Sequence, residues 1–271
     1  VFEEKDETFS TFIYRSKSRK YLIIGSESTL TSEYRILEAD SPDREFRVLS
    51  PREQGLEYSI THYQNQFYIL TNKDDAENFK LMVTPENQTS STYWKDLIPH
   101  RRDTLLEGID IFKDYLVLSE RTNGLNQIWI KPWNEEGYYL PFYNETYTAF
   151  TTTNIDFDTE ILRYAYQSLA TPASVIDFNM RTLKKEIKKE QVVLGDFNKE
   201  DYFEERVWAT ATDGVNVPIS LVYKKGLELN GENPLLLYAY GSYGASMEAF
   251  FSSLRLSLLN RGFVLDRKSV V

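Results

Sequence analysis

Four short segments repeat along the first two thirds of the chain and narrow the folds open to it. They are Lys20-Tyr21-Leu22-Ile23-Ile24-Gly25-Ser26, Gln66-Phe67-Tyr68-Ile69-Leu70-Thr71-Asn72, Asp114-Tyr115-Leu116-Val117-Leu118-Ser119-Glu120 and Leu162-Arg163-Tyr164-Ala165-Tyr166-Gln167-Ser168. Their first residues lie at 20, 66, 114 and 162, so the steps are 46, 48 and 48 residues. Each is an aromatic and aliphatic run that ends in small polar residues. After most copies a polar turn leads to a second run: Tyr34-Arg35-Ile36-Leu37, Phe79-Lys80-Leu81-Met82-Val83 and Gln127-Ile128-Trp129-Ile130. A period near ~45 residues built from strands predicts the blades of a β-propeller. Helical arrays share such periods, but these segments are too short and too rich in β-branched and aromatic residues to be their helices. An aromatic content of 14%, from 19 Tyr, 16 Phe and 4 Trp, points the same way.

The pattern changes after Met180. Leu183-Lys184-Lys185-Glu186-Ile187-Lys188-Lys189-Glu190 is rich in lysine, but interleaved acids make it a solvated last blade strand and linker, not a phosphate site. Gly195, Asn198 and clustered charges place a domain boundary near 196–201. Beyond it, residues 205–211 and 217–223 bracket Asp213-Gly214 and predict a β-hairpin. Then the apolar run Pro234 to Tyr240 enters the turn Gly241-Ser242-Tyr243-Gly244. Leu254, Leu258 and Leu259 fall at helical spacing before Gly262, and Phe263-Val264-Leu265 begins another run. The order strand, glycine turn, helix, strand predicts one parallel crossover unit. Loops at the carboxyl ends of such strands carry functional groups, and two tyrosines around this turn exceed what a tight connection needs.

Charge and composition remove several function classes. A net charge of -10 argues against a nucleic-acid partner and is compatible with cationic substrates. The absence of cysteine excludes disulfides, thiol catalysis and thiolate metal sites. No apolar run approaches the ~18 residues needed to span a bilayer. No metal-ligand cluster stands out and no cofactor is expected. Asp74-Asp75 and Asp156-Phe157-Asp158 lack a calcium-loop framework.

Tyr238-Ala239-Tyr240-Gly241-Ser242-Tyr243-Gly244, with Arg255 through Val264, resembles the prolyl oligopeptidase family of serine peptidases, and within it the oligopeptidase B branch. The resemblance continues through Arg206 to Tyr223, Ala76 to Leu81 and Ile98 to Arg101, and so covers nearly the whole chain. It implies a mainly β chain: about four blades of a seven-bladed propeller over residues 1–200, then the start of an α/β-hydrolase domain over 201–265. Roughly three blades would precede Val1, and the catalytic triad would follow residue 271. It further implies a cytosolic endopeptidase, a periplasmic location staying open. Its substrates would be short peptides cleaved after Lys or Arg, with the propeller as a size filter. The alternatives are a prolyl-specific or dipeptidyl relative and a non-catalytic propeller that binds protein.

The resemblance also implies the site residues. Tyr240 would donate its hydroxyl to the oxyanion, the role of the loop after the third strand in this fold. Tyr243 matches the aromatic wall of the primary specificity pocket. Glu248 matches the first of two acids that hold a second basic residue, whereas Phe250 stands where the second acid would be. That departure weakens the implied dibasic preference. No G-x-S-x-G occurs, and His62 and His100, the only histidines, precede the crossover unit, the wrong chain order for a hydrolase base. Both read as structural, so this chain alone is expected to be inactive. Finally, the family runs on from Val264 as an apolar strand, but this chain reads Asp266-Arg267-Lys268-Ser269-Val270-Val271. Such charge would end a central strand. One frame of the common sequencing-adapter string GATCGGAAGAGCGTCGTG encodes that hexapeptide, so residues 266–271 are expected to be artefact.

Overall fold

The computed structural model of the chain describes residues 2–240 and 245–269. Twenty strands fall into five four-stranded sheets. The first holds Ser10–Arg15 (β1), Tyr21–Glu27 (β2), Ser32–Glu38 (β3) and Arg47–Val48 (β4), in that order. The second holds Tyr58–Tyr63 (β5), Gln66–Thr71 (β6), Lys80–Pro85 (β7) and Lys95–Ile98 (β8). Thr104–Ile111 (β9), Tyr115–Thr122 (β10), Leu125–Pro132 (β11) and Tyr138–Tyr139 (β12) make the third. Thr148–Thr151 (β13), Ile161–Gln167 (β14), Ser174–Asn179 (β15) and Lys185–Glu190 (β16) make the fourth. In each, strands adjacent in sequence are neighbours, as in propeller blades. The repeats found in the sequence are β2, β6, β10 and β14, the second strand of each sheet.

The second strands β2, β6 and β10 are buried along most of their length, whereas β14 alternates, with Arg163 exposed between buried Leu162 and Tyr164. Ile23, Phe67, Ile69 and Val117 are fully buried, which is why the first three repeats read as near-continuous apolar runs. By contrast β16 is exposed along its whole length, matching its alternating Lys and Glu.

The fifth sheet has the order β17-β18-β20-β19, from Tyr202–Thr210 (β17), Asn216–Lys224 (β18), Leu235–Tyr240 (β19) and Val264–Ser269 (β20). β17 and β18 form the expected hairpin, with Tyr202 opposite Lys224 and Thr210 opposite Asn216. β19 and β20 run parallel, joined through the helix Ser253–Leu259 (α1). Gly262 closes α1 at φ +85, a conformation that costs glycine little, while Phe263 N–H donates to Leu258 O at 3.2 Å. Two sequence expectations change here. Leu254 lies outside the buried face of α1, at 86% exposure; Leu259 is buried, with Leu256 and Leu258 packed beside it. The charged tail does not stop the strand either. β20 runs to Ser269 between β18 and β19, because ladder hydrogen bonds use backbone groups and do not depend on side-chain charge.

Two compact units divide the chain. One comprises Val1–Glu120, Lys131–Glu136 and Ile155–Thr159; the other comprises Arg121–Ile130, Gly137–Asn154 and Glu160–Val271. In the first, Tyr21, Ile23, Tyr34, Ile36, Phe67, Ile69 and Trp94 belong to one core shared by the first two sheets. In the second, Leu169 and Ala170 of the fourth sheet pack with Tyr202, Val222, Ala249, Leu259 and Leu265. The fourth sheet, β17, β18 and the crossover unit are therefore one packed body.

Candidate active-site loop

Tyr240 is the last residue of β19, at the carboxyl end of a parallel strand, and is 47% exposed. Tyr243 lies outside the described residues. The chain from Ala245 to Ser252 has no regular structure, yet it is anchored. Ala249 enters the core of the second unit, Phe251 is buried with its ring edge-on to Phe197 at 5.5 Å, and Phe251 N–H donates to Gln167 Oε1 at 3.0 Å. The chain is thus held immediately after Glu248.

Glu248 already has a cation. Arg121 Nη2, at the end of β10, donates to Glu248 Oε1, and both side chains are mostly buried, at 14% and 19% exposure. The Thr148 hydroxyl donates to Glu248 Oε2 at 3.4 Å. Arg121 Nη1 donates to Gly124 O at 3.3 Å, which ties the guanidinium to the hairpin turn Asn123-Gly124. That turn has φ +51 and +73, the paired positive values of a two-residue hairpin loop. Arg206 of β17 donates to Asn123 O. A Cβ on Gly124 would lie 2.9 Å from Arg206 Nη2 and 3.1 Å from Pro218 Cγ, so the close approach also requires glycine. Arg121 had no signal in the sequence, because its partner is 127 residues away.

Glu204 of β17 is a second such tie. Its Oε2 accepts from Ser168 Oγ at 2.9 Å and Asn144 Nδ2 at 3.1 Å, and its Oε1 from Ala170 N–H at 2.8 Å. Burial pushes its carboxyl above the usual range, while these hydrogen bonds pull it back. Nearby, Thr146 Oγ1 donates to Ser220 Oγ at 2.7 Å.

Both histidines have structural partners. His62 is buried on β5, with Nδ1 2.8 Å from Ser18 Oγ and Nε2 3.1 Å from Glu86 Oε2. Glu86 also accepts from Lys20 Nζ at 2.6 Å and from the Tyr21 hydroxyl at 3.2 Å. Ser, His and Glu thus line up, but they tie the β1–β2 turn to the second sheet. Burial holds the His62 imidazole below its ordinary range, against the opposing pull of Glu86. Burial alone would raise Glu86; hydrogen bonds from Lys20 and His62 bring it below the usual carboxylate range. His100 Nε2 accepts from Asn78 N–H at 3.3 Å.

Four antiparallel four-stranded sheets in series, followed by a parallel crossover unit, define a propeller-bearing chain with a second, mixed sheet. Residues 1–191 match the family described as the prolyl oligopeptidase, N-terminal beta-propeller domain. Dipeptidyl aminopeptidase BI of Pseudoxanthomonas mexicana is 40% identical over 265 residues, covering 97% of this chain and 36% of the relative. Protease 2 of Moraxella lacunata is 34% identical over 264 residues, 97% of this chain and 38% of the relative. Among solved structures, oligopeptidase B from Leishmania major aligns with a TM-score of 0.91 at 30% identity, over 99% of this chain and 39% of that one. Oligopeptidase B from Trypanosoma brucei, in a closed form with covalently bound antipain, aligns at 0.92 and 31%, with the same coverage. The chain belongs to the prolyl oligopeptidase family of serine peptidases. It spans between a third and two fifths of the length of these relatives. No helix among the described residues is long and apolar enough to cross a membrane.

Proposed function

We propose that the parent protein of this chain is a serine oligopeptidase of the oligopeptidase B type, cleaving short peptides after Lys or Arg. Residues 1–200 are its propeller, admitting peptides and excluding folded proteins. Residues 201–265 open an α/β-hydrolase domain that supplies the nucleophile from elsewhere in the parent. Tyr240 carries the reading. Tyr240 ends a parallel strand at its carboxyl end, the region from which this fold draws an oxyanion donor, and that position supports the reading. As the acyl carbonyl becomes tetrahedral its oxygen gains negative charge, and a fixed O–H stabilises that charge more than the ground-state carbonyl. Tyr243 is the wall of the primary pocket and Glu248 the acid that meets a second basic residue.

The 40% identity to a dipeptidyl aminopeptidase supports a second reading, release of dipeptides from free amino termini. One experiment separates the two. The parent enzyme is given Arg-ended reporter peptides of two and four residues, each with a free or a blocked amino terminus. Cleavage of blocked reporters, abolished by a serine-directed inhibitor, is the expected result. Turnover confined to free dipeptide reporters would select the second reading, and no turnover of either would overturn both.

A further inference from the structure

We propose that Arg121 is a specificity-determining residue, a built-in cation that competes with substrate for Glu248. The inference rests on the reading of Glu248 as a substrate-binding acid and adds the control of that site. A mostly buried carboxylate that meets a substrate cation must be ionised and open on one side. Glu248 is instead already neutralised by the Arg121 guanidinium, and Thr148 takes its other oxygen. Phe250, at the adjacent acidic position of the family pattern, adds no charge. The Glu248–Arg121 pair therefore carries no net charge, and a basic side chain gains only what it recovers after displacing Arg121.

The arrangement is held from both sides. Arg121 is fixed by Gly124 O in a hairpin turn where a side chain at Gly124 would be strained at φ +73 and would crowd Arg206 and Pro218. Glu248 is followed directly by Ala249, which is in the core, and by Phe251, whose N–H is held by Gln167 Oε1. Removing the guanidinium would leave a desolvated carboxylate with no charge partner, a costly state that a substrate Lys or Arg relieves. Arginine is suited to the role because it stays charged at every working pH and binds a carboxylate through a planar fork. Arg267 also lies within electrostatic reach of Glu248. It belongs to the charged tail, so the test uses the parent enzyme, with its own sequence after Leu265.

The readout is the ratio of kcat/KM for an Arg-Arg reporter to that for an Ala-Arg reporter. Competition predicts that Arg121→Met raises the ratio by about tenfold or more, the effect of a freed buried charge worth ~1.4 kcal/mol. Adding Glu248→Gln to that variant should return the ratio to the parent's value. Arg121→Lys keeps a cation but loses the fork, and should give a smaller rise; it also serves if the methionine variant does not fold. An unchanged ratio in both Arg121 variants would overturn the proposal. A fall in the ratio would also overturn it, by showing that Arg121 positions Glu248 for substrate. A parent with no peptidase activity would remove the underlying reading as well, and that outcome is distinct from an active enzyme with an unmoved ratio.

Discussion

A single hydroxyl is the smallest change that tests the oxyanion assignment. Tyr240→Phe in the parent enzyme keeps the ring and removes the donor. Turnover should fall by ~10²–10³ with the Michaelis constant little changed, because the loss falls on the transition state. A merely structural tyrosine would instead lose ~0.5–1.5 kcal/mol of stability and keep its turnover; kinetics and a melting curve on one preparation separate the two. His62 makes a prediction about pH. Its folded pKa is depressed by burial, so below the unfolded value, ~6.5, the unfolded chain binds more protons. Glu86 is depressed too, so both groups contribute stability at neutral pH that is lost on acidification. The urea midpoint of the parent should drop between pH 7 and 5, and His62→Gln should flatten that slope; an equally steep slope in the variant would refute the tie. The position of Tyr240 at the end of β19 was legible because strand and helix lie close in sequence. Arg121 and Glu86 were not, because side chains so far from their partners leave no local pattern.

Elements were legible where burial on both faces forced a continuous apolar run, as in β2, β6 and β10; β14 was legible by the 48-residue step of its repeat from that of β10 and by its aromatic alternation. The outermost strands β4, β8 and β12 are only two to four residues long and mostly exposed, so no apolar periodicity marks them. On α1 the spacing was right but the face was not, since Leu254 is exposed at the first turn. At this scale Glu204 is the informative residue, because β17 has no other carboxylate reaching three donors of the fourth sheet region. Glu204→Ala in the parent strands those three donors and should cost at least about 3 kcal/mol, at ~1–3 kcal/mol per lost charged hydrogen bond or unpaired donor. An unfolding midpoint equal to the parent's would show that water replaces the carboxylate. β20 makes the other prediction. Arg267 stands over Tyr238, and burial, with Arg267 nearby, pushes the Arg255 guanidinium down to about 10. Two half-buried cations beside a buried Asp266 are poor company for a central strand. We propose that codons 266–271 derive from adapter sequence. Independent genomic reads across Leu265 should diverge from this tail, and reads that carry the six codons onward in frame would refute it.

The whole chain presents apolar strand faces to water. β1 exposes Phe12 and Ile13, and β19 exposes Leu235, Leu236, Leu237 and Tyr238 in succession. β19 is also an edge strand, paired only to β20, so its outer backbone groups add an open ladder to the apolar run. A strand of that kind pairs readily with another chain, and only its shortness restrains it. The net charge of -10 opposes association at low salt, but screening at ~0.15 M reduces that repulsion beyond about 8 Å. Conformational entropy of ~1–2 kcal/mol per ordered residue must be offset by burial, and these strands contribute order with little burial in return. The isolated 271-residue chain should therefore show a broad thermal transition, dye binding to exposed apolar surface, and concentration-dependent association that salt strengthens. It should also hydrolyse no Arg- or Lys-ended reporter, since it has no G-x-S-x-G and both its histidines are committed to structural hydrogen bonds. Calorimetry and light scattering across a dilution series test the first part, and turnover with and without a serine-directed inhibitor tests the second. A sharp calorimetric transition from a monodisperse monomer would show that the sheets hold the fold without cover on β1 and β19. Inhibitor-sensitive turnover would mean that a nucleophile lies within these residues, and the assignment of Tyr240 as their one catalytic group would fall with it.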